Sequence, residues 1–325
     1  MAQFFAPTSV GQTSPENTFS FTNPILEKGN DPWITQHDSL FYYCYSENKV
    51  IHVRANRYVH AIREGKEIAT WTPPPLQKYS AELWAPELHF ICGFWYIYFA
   101  SDDGLNDNHR MYVLKSHDSN IGNGFEFVGQ VLTRDNKWAI DGTVLQLNGS
   151  MYFIWSGWRG DKNVSQNLYI AKMDSPTSIA SDRVLISQPD YEWEKRGALG
   201  GLPTINEGPQ ILQHDGEIFL IYSAAGSWSN FYCLGQLRLS GSDPLNALSW
   251  TKKSQPVFQG FGNVYSPGHA SFLNIHGKDW IVYHTAVRKD AGWNRKVKLQ
   301  PFSWQRGEPL FGKPLEDGDT VTIEY

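Results

Sequence analysis

The chain of 325 residues is short of cysteine, of methionine and of net charge. Its three cysteines, Cys44, Cys92 and Cys233, are odd in number and lack the short spacings of a thiolate metal site. A disulfide framework and a zinc fold are therefore excluded, and the three read as buried free thiols. The formal charge of −5 leaves no basic footprint for nucleic acid or for an anionic membrane surface. A neutral partner suits such a chain better. No apolar run approaches the roughly 20 residues that cross a bilayer as a helix. The opening Met1-Ala-Gln-Phe-Phe-Ala-Pro-Thr8 lacks the basic start and apolar stretch of a secretory leader. As it stands the sequence reads as cytoplasmic, and as secreted only if a leader has been removed. Helical periodicity is scarce as well, Pro176-Thr-Ser-Ile-Ala180 offering one turn at most. No low-complexity linker divides the chain, so residues 1–325 read as one domain, with residues 1–22 as an N-terminal extension.

What the chain has is aromatic side chains, 13 Trp, 16 Tyr and 18 Phe, together with 28 Gly and 18 Pro. Such a composition suits many short strands joined by tight turns. Five segments share a turn residue followed by alternating aromatic and apolar residues. They begin at Asp38, Gly93, Gly149, Gly216 and Gly277, and each places an aromatic three residues later: Phe41, Tyr96, Tyr152, Phe219 and Trp280. Each run is preceded by another short apolar run, such as Thr143-Val-Leu-Gln-Leu147, so the unit is an antiparallel hairpin with further strands behind it. A repeat of about 60 residues with several strands fits an all-β, five-bladed β-propeller of four-stranded antiparallel blades, with boundaries near residues 25, 80, 138, 202 and 262. A two-sheet sandwich would leave the period unexplained.

Six to nine residues before the turns stand Asp31, Glu87, Asp141, Glu207 and His269. The innermost strands of a propeller run along its axis, so equivalent positions converge on one mouth of the central channel. A lone Asp at a strand start is ordinarily a turn residue. Four carboxyl groups and an imidazole at one repeat position repel and perturb one another, an arrangement suited to catalysis or ion binding. Glycosidic hydrolysis asks for such a set: one protonated acid at the leaving oxygen, one ionised base or nucleophile, and a third carboxylate that keeps the acid protonated.

The flanking residues, Asn30-Asp31-Pro32-Trp33, Trp84-Ala-Pro-Glu87-Leu88, Ile140-Asp141-Gly-Thr-Val144, Asn206-Glu207-Gly-Pro-Gln210 and Ser266-Pro-Gly-His269, resemble glycoside hydrolase family 43. The resemblance implies a five-bladed propeller that hydrolyses arabinosides or xylosides with inversion. By position it makes Asp31 the general base, Glu207 the general acid and Asp141 the group that tunes and orients the acid. Glu87 then lines the site without a primary role. His269 resembles a histidine beside a calcium or other ion in the channel; calcium prefers oxygen ligands, and the remaining ones would be largely water. No cofactor is required for the chemistry.

Asp31-Pro-Trp33, Ser156-Gly-Trp158-Arg-Gly-Asp161, Asn167-Leu-Tyr-Ile-Ala-Lys-Met173 and Tyr191-Glu-Trp-Glu-Lys195 resemble the exo-acting α-L-arabinofuranosidase branch. Arabinan, arabino-oligosaccharides or arabinoxylan side chains are the implied substrates. Trp33, Trp84 and Trp158 stand where aromatic faces stack on a sugar, and blade packing explains any one of them equally well. Arg295, in the last blade, is a candidate to bond a sugar hydroxyl or Glu87. Two alternatives stay open: a β-xylosidase or endo-arabinanase on the same scaffold, and a propeller that binds glycans without cleaving them.

Overall fold

A computed structural model describes residues 17–325, and these residues fold almost entirely as strands. Five antiparallel sheets follow one another along the chain. Blade 1 spans Trp33 to Trp71, blade 2 Ala81 to Gln130, blade 3 Ala139 to Ser187, blade 4 Thr204 to Lys252, and blade 5 Tyr265 to Leu310. The innermost strands are Trp33–His37, Ala81–Ile91, Ala139–Leu147, Thr204–His214 and Tyr265–Ile275. Each touches the next, and the last returns to the first, closing the ring of a five-bladed β-propeller. Blades 3 and 4 are also joined by a short parallel pairing, Ser165 with Thr204 and Gln166 with Ile205.

The strand period of two explains the core. Successive side chains point to opposite faces, so each blade feeds the interfaces on both of its sides. In the strand Glu217–Ala224, Ile218, Leu220 and Tyr222 pack toward blade 3, whereas Phe219 and Ile221 pack toward blade 5. Every blade interface holds one such apolar cluster, including that between blades 5 and 1. The repeated aromatics sit here: Phe41, Phe219 and Trp280 are fully buried, and Tyr96 nearly so.

Two expectations need correction. Residues 18–22 are not an extension, since strand Thr18–Thr22 pairs antiparallel with Thr320–Glu324. Phe19 and Phe21 pack on the cluster between blades 5 and 1, so the two chain ends clasp that junction. The cysteines are indeed free, but only Cys44 and Cys233 are buried; Cys92 is exposed at a hairpin turn. Residues 1 to 8, which prompted the cytoplasmic expectation, lie outside the described residues. No helix among the described residues is long and apolar enough to cross a membrane.

Candidate active site

Four of the five innermost strands carry a register shift near their start, between Trp84 and Glu87, Ile140 and Thr143, Glu207 and Gln210, and Gly268 and Ser271. Bulges of this kind re-aim side chains and are common beside active sites. The residue two places before regular pairing resumes is Ala85, Asp141, Gly208 or His269, and in blade 1 the same step back from Trp33 reaches Asp31. All five have positive φ, between 42° and 55°. For side chains other than glycine that conformation is strained and persists where the surroundings enforce it. Here it turns Asp31, Asp141 and His269 into the channel mouth. Glu207 stands one residue earlier, in register with Trp84 and Ile140, and reaches the same mouth from a different place in the repeat.

These residues line one cavity of about 580 Å³, which takes in Asp31, Trp84, Asp141, Glu207, His269 and Arg295. Asp31 Oδ1 lies 3.2 Å from His269 Nδ1 and 3.7 Å from the buried Arg295 guanidinium. The Asp31 backbone N–H donates to His284 Nδ1 at 3.1 Å, so His284 carries its proton on Nε2 and is neutral. Burial alone would raise the Asp31 pKa, but His269 and Arg295 overcome it and hold the carboxyl well below the usual range. Burial would likewise strip the proton from His269, yet the carboxylates of Asp31 and Asp141 raise its pKa to about 9.

Glu207 behaves in the opposite way. Burial, and then the nearby negative charge of Asp141, push its pKa up to about 8. Its Oε1 accepts the Tyr232 hydroxyl at 2.7 Å, which leaves Oε2 to carry the proton. Asp141 is raised only to about 6: burial and Asp31 push it up, while His269 and the Gly208 backbone N–H, donating to Oδ2 at 2.9 Å, restrain it. At neutral pH the cavity thus holds an ionised Asp31, an ionised Asp141 and a protonated Glu207. Like charges at close quarters divide their protons unequally.

Gly208 makes this packing feasible. At φ 53° it suits glycine, and a Cβ there would stand 3.1 Å from the His269 ring. Tyr232 is pinned from two sides, its ring stacked on His284 with centroids 5.6 Å apart and Arg295 above it at 5.3 Å.

Three residues expected at the site lie elsewhere. Glu87 is two places past the bulge, so it faces the channel one layer deeper, where it accepts from Gln210 Nε2 and pairs with His89 Nε2 at 2.9 Å. Trp158 is buried and supports the wall from behind, stacked at 4.8 Å on Trp138, which does line the cavity. Trp33 lines a second, separate cavity of about 360 Å³ with His89, Gln146 and Gln213. Arg295 reaches the cavity but not Glu87; its Nη2 donates to Ser227 O at 2.5 Å.

Sequence reasoning missed Glu82, Trp138, Tyr232 and Trp293. Trp138 had a signal, an aromatic three residues before Asp141 just as Trp84 stands three before Glu87. Tyr232, 25 residues past Glu207, had none. As for an ion at His269, no group of three or more His, Cys, Asp or Glu among the described residues is arranged to hold a metal. The ring's Nδ1 is engaged with Asp31 at 3.2 Å. An ion beside His269 would therefore take its remaining ligands largely from water, and no step below runs through one.

Comparison with known proteins places this geometry. Residues 21–309 match the family Glycosyl hydrolases family 43. An extracellular exo-α-(1→5)-L-arabinofuranosidase of Streptomyces avermitilis is 38% identical over 96% of this chain and 68% of its own length. The α-L-arabinofuranosidase 43 of Humicola insolens is 31% identical over 93% of this chain and 65% of its own. Among solved structures, an α-L-arabinofuranosidase from Lactobacillus brevis superposes with a TM-score of 0.82 at 30% identity, covering 91% of this chain and 97% of that one. With the matched span covering nearly the whole propeller, the chain belongs to glycoside hydrolase family 43 and is a glycoside hydrolase.

Proposed function

We propose that the protein is an inverting, exo-acting α-L-arabinofuranosidase that releases terminal arabinofuranosyl residues from arabinan, arabino-oligosaccharides or arabinoxylan side chains. One observation carries the reading: two carboxyl groups in one cavity are held in opposite protonation states at neutral pH, Asp31 ionised and Glu207 protonated. Pairs of titratable groups pushed apart in this way mark base and acid.

In this reading Asp31 takes a proton from water as the water oxygen bonds to the anomeric carbon. The bond to the leaving oxygen breaks on the opposite face, and Glu207 delivers its proton there. Room for the water requires the two carboxyl groups to stand roughly 6.5–9.5 Å apart. Asp141 keeps Glu207 protonated by like charge. Trp84 presents a face to the sugar, and Arg295 fixes Asp31 while offering donors to a hydroxyl. The names of the relatives support the choice of sugar and of exo action, and two of those names describe extracellular enzymes.

The test is a substrate panel of aryl α-L-arabinofuranoside, aryl β-D-xyloside and linear arabinan. The reading expects cleavage of the first and stepwise release of monomer from the third. Preference for the xyloside, or internal scission of arabinan, replaces it with a xylosidase or an endo-arabinanase.

A further inference from the structure

One wall of the cavity is built by residues that the catalytic carboxylates do not use: Glu82 and Trp84 from blade 2, Asn106 from the loop behind them, and Trp138 at the entry to blade 3. All four converge on one buried side chain. The His109 ring is fully buried and stacks under Trp84 with centroids 3.9 Å apart and an interplanar angle of 27°. Its Nε2 stands 3.2 Å from Glu82 O, and its Nδ1 3.2 Å from Asn106 O. The Trp138 ring meets it edge-on at 6.1 Å, and Trp138 Nε1 donates to the same Asn106 carbonyl at 2.7 Å. On the Nδ1 side of the ring lies Asp102, also fully buried, with Oδ2 3.1 Å from Nδ1 but outside hydrogen-bond geometry, and Oδ1 accepting from the Gly104 N–H at 2.9 Å.

Neither Asp102 nor His109 lines the cavity, and an apolar filler would have packed the space without the cost of burying polar groups. A neutral ring donates from one nitrogen only, so what it supplies is a fixed reference for one of the two carbonyls and for two indoles. Glu82 needs one, because it sits at φ 47° in the bulged segment with an exposed carboxyl group. That group already accepts from Trp84 Nε1 at 3.2 Å through Oε2, leaving Oε1 free to accept from a sugar hydroxyl.

We propose that Asp102 and His109 are positioning residues that hold the Glu82 carboxylate and the Trp84 face against the terminal sugar. The assignment to the terminal sugar rests on the hydrolase reading above. Blade 2 lies between blade 1, which carries the base, and blade 3, while the acid at the leaving oxygen comes from blade 4. The wall thus grips the sugar that is released.

The test is a double-mutant cycle on whichever aryl glycoside the wild-type enzyme cleaves, so that a wrong sugar assignment does not affect it. Glu82→Gln and Trp84→Ala, both on the cavity surface, should each lower kcat/KM on the order of tenfold or more, mainly through KM. Asp102→Asn should lower it by a similar factor. On the Trp84→Ala background the same Asp102→Asn change should cost less than twofold, because residues acting through one another are not additive. The melting temperature provides the control, since loss of fold would add in full on both backgrounds. The proposal is overturned if Asp102→Asn costs as much with Trp84 absent as with it present. It is also overturned, whatever the buried variants do, if neither surface variant reduces kcat/KM.

Discussion

Asp31 and Glu207 share a cavity and differ in surroundings: cationic neighbours hold one ionised, while burial and Asp141 hold the other protonated. Replacing Glu207 with Gln should therefore slow cleavage of natural linkages by several orders of magnitude while sparing aryl glycosides whose leaving group needs little protonation. Equal losses on both kinds of substrate would remove Glu207 from the acid role. The same change should alter stability with a defined sign. The folded pKa of about 8 lies above the ordinary value of 4.5, so between these values the folded state binds the extra proton. Wild-type stability thus falls as pH rises through that window, and the full cost of the buried carboxylate is felt above pH 8. Glu207→Gln should gain little at pH 5 and on the order of a few kcal/mol at pH 9, read by thermal melts at both. Asp141→Asn removes the like charge that holds Glu207 protonated. The alkaline limb of the activity profile, set near 8 in the wild type, should move to lower pH by roughly one to three units. A limb that stays in place in a folded variant would leave Asp141 as no more than a turn residue.

At the scale of the strand, the bulge is what makes the site. Gly208→Ala would put a methyl group 3.1 Å from the His269 ring at a φ that alanine avoids. It should cost about 1–2 kcal/mol in stability and shift the backbone N–H that restrains Asp141. Activity measured well below the melting temperature should drop more than tenfold; an active variant of unchanged stability would deny the bulge its role. The bulges also explain what was legible in the sequence. The hairpins were, because Phe41, Phe219 and Trp280 follow their turns at a constant offset and alternate with period two. The single ring of Asp31, Glu87, Asp141, Glu207 and His269 was not. A two-residue irregularity inside four of the five inner strands moves Glu87 a layer deeper and brings Glu207 in from the neighbouring register position. No spacing rule reads out such a shift. Trp158 misled for a simpler reason: a Trp beside a glycine-rich loop looks the same from sequence whether it faces the sugar or, as here, the back of Trp138.

At the scale of the molecule, no chain segment links blades 5 and 1 in sequence, so their junction is closed by packing, by the backbone pairing of Leu26 with Val297, and by the chain ends. The strand pair of Thr18–Thr22 and Thr320–Glu324 covers it, burying Val321 and Ile323 on the shared cluster. Ile323→Asp, which would bury an unpaired carboxylate there, should cost about 3 kcal/mol or more and lower the melting temperature, with kcat unchanged at temperatures where the variant stays folded. A variant as stable as the wild type would show that the clasp is dispensable. The ring so closed is what brings Asp31, before blade 1, and Glu207, on blade 4, to one cavity, and the stereochemistry of the product tests the roles proposed for them directly. The deciding measurement is the anomeric configuration of the arabinose first released from an arabino-oligosaccharide, followed by proton NMR before mutarotation. Direct displacement by water activated at Asp31 predicts the inverted β-anomer as the initial signal, with the α-anomer growing in later. An initial α-anomer would mean two successive displacements through a covalent intermediate, and would contradict the assignment of Asp31 as a base.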